Sequence, residues 1–96
     1  VVEVKTIDVA KSVGYVGSFS ISVDPLTIEL AIRDAEGSLV MDILCVQEPD
    51  PQTLEVRNYF LAPIGWTMEG AAADFVLIGA LFDTTRDTMA YLFKVA

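Results

Sequence analysis

The run Ser18-Phe19-Ser20-Ile21-Ser22-Val23-Asp24 alternates polar and apolar residues one for one, and the same period of two recurs along most of the chain. A helix would scatter such a pattern around its circumference. A strand sends it to two opposite faces, one for a core and one for water. The pattern points to antiparallel sheet, because parallel strands are buried on both sides and lose the alternation.

Strands are expected at Val1–Val9 and Gly14–Val23, then at Thr27–Arg33 with Ile28, Leu30 and Ile32 on one side. A helix opened by Asp24-Pro25 and stopped by Gly37 competes for this third segment, but two isoleucines and strict alternation favour the strand. Asp34–Ser38 reads as a hairpin loop built around Gly37. Leu39–Val46 follows, with Leu39, Met41, Ile43 and Cys45 inward and Asp42 opposite. The prolines of Glu48-Pro49-Asp50-Pro51 break the chain firmly. In Leu54–Leu61, Leu54, Val56 and Phe60 share one face while Glu55, Arg57 and Tyr59 share the other. Pro63–Ala73 is the longest expected loop. Phe75–Phe82 is apolar on both faces, which suits a central strand or a subunit contact. A short buried helix over Ala71–Leu81 is the alternative there. Met89–Val95 closes the chain with Met89, Tyr91, Phe93 and Val95 aligned. About seven strands at this spacing predict a mainly β fold, an antiparallel meander forming a small barrel or sandwich. With 96 residues and no linker, repeat or low-complexity tract, the chain reads as one domain, residues 1–96.

Composition excludes several classes of function. Hydrophobic residues make up 53%, too many for a disordered chain. Fourteen acids against six bases give a net charge of −8, which repels phosphate and argues against direct nucleic-acid binding. No His is present, so His-based nucleophile activation and His-ligated metal are both unavailable. The single Cys45 lies in an apolar run and reads as a small buried hydrophobe, in keeping with a reducing, cytoplasmic setting. No uncharged stretch is long enough to be a membrane helix, and no membrane association is expected. The chain opens without Met or a signal pattern, which reads as a trimmed or processed form.

Acidic pairs recur in loops: Asp34 with Glu36, Glu48 with Asp50, Asp83 with Asp87. They fit solvated turns better than a Ca²⁺ loop, since no stretch supplies enough oxygen ligands with the necessary Gly spacing. Gly14-Tyr15-Val16-Gly17 lacks the spacing, helix and Lys of a phosphate loop and reads as a bulge or strand bend. No catalytic set, cofactor or metal site is expected. Candidate ligand or interface residues are Trp66 in its Gly-containing loop, Arg57 beside Tyr59, Arg86 near the last hairpin, and Phe82 and Tyr91 in the apolar closing strands.

From Leu39 to Val95 the chain resembles small β-domains of unknown function encoded by phages and prophages. The residues that carry this likeness are Arg57, Tyr59 and Phe60 in one strand, Ile64 and Gly65 in a turn, Phe75, Ile78 and Gly79 in the next strand, and Tyr91, Leu92 and Phe93 in the last. The family has a His in that last strand and this chain has none. The resemblance implies no activity; it suggests a compact accessory protein, viral in setting and acting in a host cytoplasm.

Three functions remain open on this reading. The first is a non-enzymatic interaction or structural protein that self-associates, with a dimer expected first and Phe82, Tyr91 and Trp66 at the contact. The second is a small-ligand-binding barrel whose pocket is formed by Trp66, Tyr59 and Arg57. The third is an acidic inhibitor that occupies the nucleic-acid-binding surface of a basic protein partner.

Overall fold

The computed structural model describes residues 1–10 and 17–96. Seven antiparallel strands form two sheets: β1 (Val2–Ala10), β2 (Gly17–Val23), β3 (Ile28–Ala35), β4 (Ser38–Val46), β5 (Glu55–Pro63), β6 (Phe75–Phe82) and β7 (Thr88–Val95). One sheet runs β1-β4-β3 and the other β2-β5-β7-β6. The expected Gly14 start of the second strand, and the bulge read at Gly14–Val16, lie outside the described residues.

The mainly β, antiparallel fold is as expected, but its connectivity is not a meander. Among the described strands only β3–β4 and β6–β7 are neighbours both in sequence and in a sheet. The links β2–β3 and β4–β5 cross between the sheets instead. Pro25, Pro49 and Pro51 sit in these crossings, where they cost no ladder hydrogen bonds. Both helices weighed from sequence are absent. Asp24–Thr27 is a turn closed by Thr27 N–H on Asp24 O, and near Ala71 only one 3-10 turn forms, at Ala72–Asp74. The β3–β4 hairpin turns on Glu36 and Gly37, with φ of +55° and +83°. Positive φ at both central residues matches the twist of the flanking strands.

The core lies between the sheets. From the three-stranded sheet it takes Ile32, Leu39, Met41, Ile43 and Cys45, from the four-stranded sheet Val23, Tyr59, Leu61, Leu81, Ala90 and Leu92. The inward set on β4 is the one its alternation predicts, and Cys45 is buried. Two other expectations are corrected. Ile28, Leu30 and Ile32 do not share a side: β3 carries a bulge between Glu29 and Ala31, so Glu29 lies opposite core residue Ile43 and Ile32 opposite core residue Met41, while Ile28 pairs with Leu44 and is exposed. The extra residue resets the phase of everything after it. Phe75–Phe82 is not a central strand but the edge of its sheet, set against β3, the edge of the other.

Candidate functional site

The faces of β5 are shared as the alternation predicts, but the face turned inward carries Arg57, Tyr59 and Leu61. Val56 is left 64% exposed and Phe60 lies on the outer side. The bulge in β3 makes this possible, since it brings Glu29 into the space between the sheets. The Arg57 guanidinium is anchored on every side. Nε donates to Glu55 Oε1 at 2.9 Å, and Nη2 lies 2.9 Å from the same oxygen. Nη1 donates to Thr27 O at 2.7 Å and Glu29 Oε1 at 2.9 Å, and Nη2 donates to Pro25 O at 3.0 Å. These contacts engage all three nitrogens of the guanidinium. The Tyr59 hydroxyl also donates to Glu29 Oε1. Its ring is wholly buried and stacks on Phe19 at 5.1 Å.

Burial raises the Glu29 carboxyl, but hydrogen bonds from Tyr59 and Arg57 together with the guanidinium charge outweigh it, and the group sits below its ordinary value. The same burial and the same carboxylate push the Tyr59 phenol well above its ordinary value. Arg57, Tyr59 and Glu29 thus form a clasp between the sheets with its donors spent internally. It offers a ligand neither a free fork nor a free hydroxyl.

Trp66 lies elsewhere. It ends a tight turn closed by its own N–H on Pro63 O at 3.1 Å, with Gly65 at φ +89°, and it is 57% exposed. The expected pocket of Trp66, Tyr59 and Arg57 is therefore not assembled. Arg86 takes a positive φ of +68° in the turn before β7 and is exposed. Its loop is organised by Asp83, which accepts the backbone N–H groups of Thr85 and Asp87 and the Thr85 hydroxyl. The other acidic turns behave alike. Asp24 accepts Leu26 N–H, Asp34 accepts Gly37 N–H, Asp50 accepts Gln52 N–H, and Asp74 accepts Ala71 N–H. Such carboxylates hold turns by capping local backbone donors. Among the described residues no group of three or more metal-ligating side chains converges. No helix there is long and apolar enough to cross a membrane.

Tyr91 does belong to a cluster, on the outer face of the four-stranded sheet. Phe60 lies opposite Phe93, which lies opposite Leu77; in the next outward row Ala62, Tyr91 and Ala80 are aligned, and Phe75 pairs with Val95. Phe75 meets Phe93 edge-on at 6.1 Å, and Tyr91 tilts against it at 6.4 Å. These rows carry no charged residue, and Leu77 is 57% exposed. Towards β2 the face turns polar, where Ser20 donates to Asn58 Oδ1 at 2.6 Å. Phe82, 58% exposed, stands apart at the β3–β6 junction, beside a shallow depression it shares with Asp34 and Met89. Sequence reasoning missed Phe60, Phe93 and Leu77 as surface residues because apolar strand residues read as core. The signal was there in β5 and β6, which supply more apolar faces than one core can bury.

No protein-family model matches this chain, and no curated protein or solved structure matches it either.

Proposed function

We propose that this chain is a non-enzymatic interaction protein that associates with a second copy of itself through the outer face of its four-stranded sheet. The observation that carries this reading is the uncharged aromatic row Phe60–Phe93–Leu77, flanked by Tyr91 and Phe75. Leu77 and Tyr91 are exposed and Phe60, Phe75 and Phe93 half-buried, and a contiguous apolar patch at the surface marks an interaction site rather than ordinary surface. The occupant is argued from charge and topology. Each copy carries −8, so two copies repel except where a surface is free of charge, as the rows of this face are. A two-fold axis lets the same patch serve both partners, and sheets pack face to face about 10 Å apart. The viral accessory setting suggested by the resemblance is compatible with such a role.

Light scattering at micromolar concentration tests the reading, with added salt as the variable. A dimer that tightens as salt rises is expected, because screening removes the repulsion and leaves the apolar contact. A 10.4 kDa monomer at every salt concentration would overturn it.

A further inference from the structure

We propose that the cleft between β1 and the end of β2 is a binding site for a compact, uncharged amphiphile, one small apolar body bearing a single hydrogen-bonding group. The cleft has a volume of about 150 Å³, enough for a benzene-sized molecule. Ile7, Val23, Ile43, Cys45 and Leu54 give it an apolar side, and Ser22, Thr27 and Gln47 are the uncharged polar residues in its lining. One polar group stands out within this lining. Thr27 is only 5% exposed, and among the described residues its Oγ1 is buried without a hydrogen-bond partner. The rest of the residue is well placed: its N–H donates to Asp24 O and its carbonyl accepts from Arg57. A buried hydroxyl left unpaired costs free energy, and native proteins rarely carry one without a use.

The lip selects the class of ligand. Glu3 and Lys5 line it from β1 and Asp24 follows β2, so both signs of charge are present and the excess of acid disfavours an anion. Pockets that are mostly apolar with one or two placed polar groups are the usual form of small-molecule sites. The cleft is also separate from the outer aromatic face, so its occupation does not depend on self-association.

An NMR titration of the whole chain with phenol, and with toluene as the counterpart lacking a hydroxyl, tests this. Saturable shifts at Thr27 and Cys45 are expected with phenol at a dissociation constant on the order of 1 mM, as befits about seven heavy atoms. Phenol should bind several-fold tighter than toluene, and Thr27→Val should abolish that preference while toluene still binds. In the unaltered chain, intermolecular contacts from the phenol ring to Val23 and Ile43 methyl groups should place the ligand without relying on the variant. Shifts that grow without saturating, or that fall on Tyr91 and Phe93 instead, would show that the cleft takes only water and would overturn the proposal.

Discussion

The two sheets both mix polar and apolar residues on each face, and they differ in how the mixture is partnered. In the three-stranded sheet β4 keeps to its alternation and turns Leu39, Met41, Ile43 and Cys45 inward, but Glu3, Lys5 and Glu29 lie opposite these core residues and Val4, Leu44 and Ile28 form an outer row. Outside, Asp42 accepts from Thr6 at 2.6 Å and from Arg33 at 2.9 Å. The four-stranded sheet is partly inverted. It turns Arg57 and Tyr59 inward and leaves Phe60, Phe93, Leu77 and Tyr91 outside. The inward charge is tolerated because Glu29 crosses from the other sheet to meet it, and Glu55 and the Pro25 and Thr27 carbonyls complete its partners. The apolar residues displaced to the outside have no helix among the described residues to cover them. Inward polar residues of the two sheets therefore meet in one buried clasp, and an uncharged aromatic face is left on the outside of the four-stranded sheet.

Breaking the clasp should have the largest effect. Arg57→Ala strands Glu29 in a largely buried position and frees the Pro25 and Thr27 carbonyls. Denaturant unfolding should show a loss of about 3 kcal/mol or more, since removing one member of a buried pair leaves the other uncompensated. Replacing both members, Arg57→Met with Glu29→Leu, should recover much of that loss. If the double variant were as unstable as the single one, the inward polar face would be needed for more than charge balance.

Acid tests the same clasp without mutation. The folded-state pKa of Glu29 is depressed, so its stabilising contribution is complete above the ordinary value of 4.5 and disappears as pH falls through the lower folded value. Tyr59 acts at the other limit. Its raised pKa means that stability declines above the ordinary phenol value of 10.0. Thermal melts should show a plateau between these limits, and Glu29→Gln should remove the acid-side dependence due to this group.

The smallest effect belongs to the outer face of the three-stranded sheet. The Arg33–Asp42 pair is exposed on the Arg side and hydrogen-bonded within its own strand layer. Arg33→Gln should leave the melting temperature close to that of the unaltered chain, as exposed pairs contribute little. Asp42, held below the ordinary carboxylate range by Arg33 and Thr6, should move towards it in that variant, which titration by NMR would show.

The contrast between the sheets also explains what could be read in advance. Alternation in β4 and the Glu36-Gly37 turn are local properties, so the strand, its inward set and its hairpin were legible. The bulge at Leu30 was not, because it depends on how β3 meets β4 across the ladder. Once that bulge is missed, Glu29 cannot be placed inside, and Arg57 and Tyr59 read as a surface pair free to hold a ligand. Thr27 carried no signal at all. A threonine after a turn is unremarkable until the neighbouring atoms show its hydroxyl unpaired.

Sedimentation velocity on three chains side by side tests the central claim most directly: the unaltered protein, Leu77→Glu and Val4→Glu. Leu77 and Val4 are both exposed apolar residues, on the outer faces of the four-stranded and three-stranded sheets respectively. A new carboxylate on the aromatic face should dissociate the protein to its 10.4 kDa monomer, whereas the same change at Val4 should leave the dimer intact. Equal behaviour of the two variants, or dissociation by Val4→Glu alone, would contradict the assignment of the interface to the four-stranded sheet.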